Sequence, residues 1–272
     1  MAHILIFGLG YTAQRIATGL RAQGFRVDAT GRAGTLDFAD EDAVRASLAQ
    51  ASHVLSSVPP AEGGDPVLDR YGDALPGKWL GYLSSTGVYG DTQGAWVDET
   101  APTGTGRRTA RSDADRRWLE AGACVFRLPG IYGPPYGSHE GRSALDRVRH
   151  GTARRIALAD QMFSRVHVDD IASGVLAAIH LGEAAPPGAY NLADDEPCAQ
   201  NRVIEDACRL LALPLPPLQS LDEAGLSPMA RAFYAENRKV ANGKAKRILG
   251  WRPLYPTYRQ GLRAILAGTG ES

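Results

Sequence analysis

A chain of 272 residues is long enough for one large α/β domain, or for a nucleotide domain carrying a smaller cap. Hydrophobic residues make up 44% and charged residues 22%, an ordinary globular composition, and 30 basic side chains balance 30 acidic ones. With no net charge and no basic block, neither a nucleic-acid nor a membrane-surface partner has electrostatic support.

The three cysteines, Cys124, Cys198 and Cys208, are odd in number and lack C-x-x-C spacing. They read as reduced thiols of a cytoplasmic protein, with no disulfide framework and no metal site. No basic leader precedes the first apolar run, and no apolar run approaches the ~20 residues of a membrane span.

In chain order, residues 3–7 are an apolar run ending at a glycine, the pattern of a buried parallel strand. Ile16, Ala17 and Leu20 then recur at helical spacing, and Gly24 closes that helix. Residues 25–30 predict a second strand, 40–50 a helix, 53–58 a strand stopped by Pro59-Pro60, and 79–84 another strand. Residues 107–121 predict a polar-faced helix and 124–128 a strand. Strands and helices alternating at this cadence predict an α/β fold, a Rossmann-type doubly wound parallel sheet with right-handed crossovers.

Beyond Pro129 the pattern loosens into a Gly/Pro loop at 133–137, a helix at 143–150 and a returning strand at 163–168. A helix follows over 169–181, with Asp169-Asp170 as its cap. A short strand at 190–192, a helix at 200–211, a proline-rich turn at 214–217 and helices near 228–236, 242–249 and 258–266 complete the chain. This organisation predicts a dinucleotide domain over 1–180, with an excursion at 132–162 towards the substrate side, and a smaller C-terminal α/β substrate domain over 181–272.

The loop after the first strand reads G-x-G-x-x-A over residues 8–13. Gly8 and Gly10 allow a tight turn and close approach of the backbone to a pyrophosphate, and Ala13 lets the helix pack on the strand. The helix start then offers free N–H groups and the positive end of its dipole to the phosphates. The end of the second strand selects the dinucleotide. Asp28 has the NAD-type spacing of about twenty residues from Gly8 but falls inside the strand. Arg32, in Thr30-Gly31-Arg32 at the strand tip, is better placed to meet a 2′-phosphate, which favours NADP and keeps NAD as the alternative.

Several stretches in order, Leu83-Ser84-Ser85-Thr86-Gly87-Val88-Tyr89-Gly90, Val97-Asp98-Glu99, Arg127-Leu128-Pro129-Gly130-Ile131-Tyr132-Gly133-Pro134, Arg165-Val166-His167-Val168-Asp169-Asp170, Tyr190-Asn191-Leu192 and Leu249-Gly250-Trp251-Arg252-Pro253, resemble the extended short-chain dehydrogenase/reductases, the NAD-dependent epimerase/dehydratase superfamily. The loop with tyrosine at 11 and the Thr-Gly-Arg tip resemble its atypical YeeZ-like subgroup. The resemblance implies an oxidoreductase, epimerase or dehydratase on a nucleotide-sugar or other small molecule, and it allows a homodimer. It assigns Gly8, Gly10, Tyr11, Thr12, Ala13 and Gln14 to the phosphate loop, and Ser57, Val58 and Pro59 to the fourth-strand tip over the adenine-side ribose. Ser84 and Ser85 match the strand end facing the nicotinamide, with Ser85 at the catalytic serine position, and Pro129, Gly130 and Ile131 match the loop covering the ring.

The family's acid–base pair, Tyr-x-x-x-Lys, is missing. No tyrosine lies between Tyr89 and Tyr132, and no lysine between Lys78 and Lys239. Arg111 most resembles the lysine position and Arg107 then holds the tyrosine's, but arginine stays protonated and cannot accept a proton. Tyr89, Tyr132, Tyr136 and His139 are the candidate substitutes. His167 and His53 read as fold-stabilising, and Asp194-Asp195-Glu196 as a solvated loop. Arg107, Arg108, Arg111, Arg116 and Arg117 make one helix face basic, either a solvated face or an anion site. Two functions remain open on this reading: an NADP(H)-linked enzyme with a rebuilt acid–base group, or a non-catalytic NADP(H) sensor or scaffold.

Overall fold

In the computed structural model, residues 1–62, 64–106, 109–137, 139–158 and 160–268 are described, and the first apolar run forms a strand, His3–Phe7 (β1), buried at every position. Strands covered on both faces show no polar alternation, which is why this run is continuous. Helix Tyr11–Ala22 (α1), strand Arg26–Ala29 (β2), helix Glu41–Gln50 (α2) and strand His53–Ser56 (β3) follow. Next come helix Pro66–Tyr71 (α3), strand Trp79–Ser85 (β4), a two-residue strand Trp96–Val97 (β5), helix Thr109–Glu120 (α4) and strand Cys124–Leu128 (β6). Asp40 and Asp65 cap α2 and α3 by accepting first-turn amides.

The chain continues through strand Gly130–Tyr132 (β7), helix Ala144–Arg149 (α5), strands Arg155–Ile156 (β8) and Arg165–His167 (β9), helix Val168–Leu181 (α6) and strand Gly188–Asn191 (β10). Helix Gln200–Leu211 (α7), strand Leu218–Gln219 (β11), helix Pro228–Phe233 (α8), strand Lys239–Val240 (β12) and helices Gly243–Ile248 (α9) and Tyr258–Gly268 (α10) complete it. A capping box between Ser143 and Asp146 starts α5.

The main sheet has six strands in the order β10-β6-β4-β3-β1-β2, all parallel. It takes in residues 188–191, beyond position 180. One apolar core packs on each face: Ile16, Leu20, Val175 and Ile179 of α1 and α6 on one side, and Val44, Val67 and Trp118 of α2, α3 and α4 on the other. A third core, with Leu145, Val203, Ile204 and Leu262, holds α5, α7 and α10 together. Three further pairs, β7 with β9, β8 with β11 and β5 with β12, stitch the C-terminal segments to the loops of the main sheet.

Four local expectations need correction. The tip carrying Ser57, Val58 and Pro59 follows the third strand rather than a fourth, because residues 30–36 close a short bridge, Thr30 to Leu36, where another strand would stand. The cap of α6 is His167, whose Nδ1 accepts the Asp169 amide at 3.2 Å; Asp169 and Asp170 lie in the first turn instead. The returning strand shortens to Arg165–His167, since only these residues find a partner in β7. The acid cluster is not uniformly solvated: Asp194 is 2% exposed, while Asp195 pairs with Lys246 and Glu196 with Arg259.

Candidate cofactor and substrate cleft

In this sheet the strand order reverses between β1 and β3, and the crevice outside the carboxyl ends of such strands is where α/β folds bind ligands. Phe7 and Ser56 are register partners, so the loops that follow, Gly8 to Gly10 and Ser57 to Pro59, meet at that point. Gly8 has φ +84°, and a Cβ on it would stand 3.1 Å from Val58 Cγ2. Only glycine fits there. Its amide donates to Thr30 Oγ1 at 3.1 Å, and the Leu9 amide to the Thr30 carbonyl at 2.9 Å, so the second strand's tip clamps the turn.

Gly10 occupies the cap position of α1, with no side-chain cap, no acidic residue in the first turn and open space where a Cβ would project. The first-turn amides are therefore left to an external acceptor, and the dipole favours an anionic one. Thr12 and Ala13 are buried beneath this turn. Tyr11 and Gln14 point elsewhere: the Tyr11 hydroxyl donates to the Pro134 carbonyl at 2.8 Å, and Gln14 Nε2 donates to the Leu9 carbonyl and reaches His139. Burial, against the charges of Arg15 and Arg142, pushes the Tyr11 phenol up to about 12. Both side chains position the loop after β7 over α1.

Asp28 and Arg32 take different roles. The Asp28 carboxylate accepts from His3, Ser47 and Arg26 at 2.9, 2.9 and 3.1 Å. Burial alone would raise its pKa, but the hydrogen bonds from Ser47 and His3 and the Arg26 charge win and lower it. That carboxylate is fully engaged inside the domain. Arg32 is exposed at the rim of a depression that also includes Gly31, Gly34 and Phe38, and among the described residues it has no hydrogen bond or ion pair.

Further along the same sheet edge, Ser85 ends β4 and accepts the Gly87 amide at 3.1 Å. It opens into a chamber of about 200 Å³ whose other walls include Pro129, Gly130, Phe163, Glu236 and Arg238. Ser84 faces the other way. Its hydroxyl donates to Asp115 at 2.6 Å; Asp115 also accepts from Arg127 Nη2 at 2.7 Å and Nε at 3.1 Å. Arg127 Nη1 donates to the Tyr89 hydroxyl at 3.0 Å, which donates to Asn191 at 2.8 Å. Tyr89 is 2% exposed and, because burial outweighs Arg127, its pKa is raised. Its proton belongs to this internal network, so neither Tyr89 nor Ser84 can serve a ligand in the cleft.

Arg111 lies in α4 and donates to the Tyr82 hydroxyl at 2.8 Å. Arg116 and Arg117 pair with Glu120 and Asp69, so these two carry no free anion site; Arg107 and Arg108 lie outside the described residues. Tyr136 bonds Thr18 at 2.5 Å under Arg15, and His139 packs edge-on against Tyr11, which places both over α1 rather than beside Ser85. Tyr132 is buried, its hydroxyl unbonded and its pKa raised by burial. His167 is buried too, and its pKa drops to about 4 because desolvation outweighs Asp169. His53 bonds Ser52 and packs its ring against Phe25 and Trp79 at a strand end, a structural role.

Sequence reasoning missed the larger chamber altogether. About 400 Å³ in volume, it shares Gly130, Phe163, Ser164 and Phe233 with the Ser85 chamber and is lined by Arg142, Arg147, Arg154 and Arg165. It also missed the ion pair of Glu236 and Arg238 at 2.7 Å, from which Arg238 reaches the Gly90 carbonyl at 2.7 Å. No motif marks these residues, which come from five separated segments.

No protein-family model matches the chain. A solved structure from Silicibacter pomeroyi DSS, a conserved protein of unknown function, is 42% identical, with a TM-score of 0.84, over 98% of this chain and 99% of that one. The chain belongs to the family of that protein. Human epimerase family protein SDR39U1, solved with NADPH, superimposes with a TM-score of 0.78 at 17% identity over 97% of this chain and 99% of its own. The fold is therefore that of the extended short-chain dehydrogenase/reductases. A curated Streptomyces relative, 3-diazoavenalumate denitrifying reductase, is 31% identical over 144 residues, 51% of this chain. That match spans 45% of the reductase's own length. Among the described residues no helix is long and apolar enough to cross a membrane.

Proposed function

We propose that this chain is an NADP(H)-dependent reductase that acts on a small molecule held in the cleft beside Ser85. The observation that carries the reading is the pairing of an uncapped helix start at Gly10 with an exposed Arg32 that has no partner among the described residues, while Asp28 is engaged within the fold. The amides of residues 11–13 fit a diphosphate, Gly8 gives it close approach, and Arg32 fits a 2′-phosphate. The cofactor solved with SDR39U1 and the activity named for the Streptomyces relative support the same reading.

When bound, the dihydronicotinamide supplies hydride. Ser85 would donate a hydrogen bond to the substrate oxygen that gains electron density, and Pro129 and Ile131 would exclude water from the ring. With the Tyr89 hydroxyl held by Arg127 and Asn191 and no Tyr-x-x-x-Lys pair in the chain, the proton reaches that oxygen from a group other than the family's usual phenol. The loss of that phenol favours a second reading, a non-catalytic NADP(H)-binding protein. A nucleotide-sugar epimerase or dehydratase is the third.

Isothermal titration tests the cofactor. Arg32→Ala should weaken NADPH binding roughly ten- to a hundredfold, the worth of a charge-assisted pair, and leave NADH within about twofold. Equal loss for both cofactors would remove the assignment. NADPH oxidation over a panel of carbonyl compounds tests the chemistry: Ser85→Ala should lower kcat by about a hundredfold or more at unchanged NADPH affinity. Tight NADPH binding without turnover on any member would favour the non-catalytic reading.

A further inference from the structure

The larger chamber carries a charge imbalance that the dinucleotide does not explain. Four arginines, 142, 147, 154 and 165, line it, and among the described residues no aspartate or glutamate does. None of the four is ion-paired among the described residues. Arg165, 7% exposed, donates only to neutral acceptors: the Phe163 carbonyl at 2.9 Å, Cys198 and the Gln200 amide oxygen at 2.9 Å. Arg154 donates to the carbonyls of Gly151 and Ala153, and Arg142 lies over the Tyr11 ring. Among the described residues the Arg147 side chain has no hydrogen bond or ion pair, and it is exposed where it lines the chamber. Crowding by the protein, and then the like charge of Arg165, draw its pKa below the ordinary arginine value. Burial pushes the Asp194 carboxyl up to about 8 against the opposing charge of Arg165, and the two side chains form no ion pair.

The remaining wall is mostly apolar, with Thr152, Ser164, Gln200 and the rings of Tyr132, Tyr234 and Tyr258 as its polar part. Ile131, Val203, Ile204, Leu226 and Leu262 line it, together with the stacked rings of Phe163 and Phe233, 4.3 Å apart. A ligand rich in hydroxyls would lose its water against the aliphatic and phenyl part of that wall, whereas an apolar body with one anionic end satisfies both that part and the arginines.

We propose that this chamber is the recognition site for a compact, largely apolar carboxylate, whose charged end meets Arg147 and Arg165 and whose other end reaches the Ser85 chamber through the wall they share. Guanidinium forks match a carboxylate in two parallel hydrogen bonds, which adds orientation to charge. The inference rests on the functional reading above only in taking Ser85 as the reacting end.

The test is calorimetric titration of the full chain at low salt with 2-naphthoate, its neutral counterpart 2-naphthamide, inorganic phosphate and UDP-glucose. The carboxylate should bind at least about tenfold more tightly than the amide, and Arg147→Gln should weaken it about tenfold or more, with Arg147→Lys recovering part of the loss. Equal binding of acid and amide, binding of neither, a preference for phosphate or UDP-glucose, or an Arg147→Gln variant that binds naphthoate normally would each overturn the proposal. NADPH titrated separately tells the two readings apart. A chain that takes naphthoate in this way but no NADPH loses its reductase assignment and keeps the carboxylate site; the reverse result keeps the first and removes the second.

Discussion

Replacing Arg127 with methionine should lower the free energy of unfolding by about 3–5 kcal/mol in urea titration, the usual cost of stripping one partner from a buried ion pair. The side chains of Arg127 and Asp115 are 4% and 2% exposed, and their two hydrogen bonds, at 2.7 and 3.1 Å, join β6 to α4. Ser84 brings in β4, and Tyr89 with Asn191 brings in the turn after β4 and β10. Methionine fills the space but leaves a buried carboxylate without its cation. Most of the loss is therefore a penalty on Asp115, and the double variant Arg127→Met/Asp115→Asn should regain about half of it, because the amide oxygen still accepts from Ser84 and carries no charge. A double variant no more stable than the single one would show that packing, rather than the stranded charge, sets the cost. The same network holds the backbone of Ser85, the next residue after Ser84, so the single variant should also lose cofactor-dependent turnover at temperatures where it is still folded.

Asp194→Asn should make the protein more resistant to alkaline destabilisation. Burial raises the Asp194 pKa from 3.8 to about 8, with Arg165 and the Glu196 amide only partly opposing it. Between those values the folded chain retains a proton that the unfolded chain releases, so this group's contribution is complete below about pH 4 and is lost as pH rises through 8. Asparagine has no proton to lose. Relative to the parent, the variant should therefore gain a few kcal/mol between pH 5 and pH 9, read as a rising difference in Tm. His167 works in the opposite sense: its pKa falls from 6.5 to about 4, so its contribution is present above 6.5 and lost as pH falls through 4. That effect is common to both proteins and cancels in the comparison. A Tm difference that stays constant across the range would mean that Asp194 is ionised throughout, and Arg165 would then have its counter-ion.

The glycine turn and helix start were legible because their residues are contiguous. Gly8, Gly10 and Ala13 each answer a local demand, for a positive φ, an uncapped helix start and a buried small side chain, and each demand is met within a few residues. The competition between Asp28 and Arg32 was legible only in outline. Strand periodicity put Asp28 inside β2, but that its carboxylate is held by His3 and Ser47 depends on strands and helices 19 and 25 residues away. Tyr89 was misjudged for the same reason. A tyrosine next to a glycine turn reads as a loop residue, yet its hydroxyl bonds Asn191, 102 positions on.

By itself, then, the sequence determined the parallel α/β sheet and the glycine turn, which follow from backbone preference and periodicity over short stretches, and its resemblance to the family exposed the missing Tyr-x-x-x-Lys pair. The tertiary structure decided which side chains face a ligand and which serve the interior. It turned Ser84 and Tyr89 inward, left Ser85 in the cleft, and gathered four arginines on a chamber that no acid lines among the described residues. Charge compensation and burial are sums over neighbours from every part of the chain, and no local pattern encodes such sums before the chain has folded.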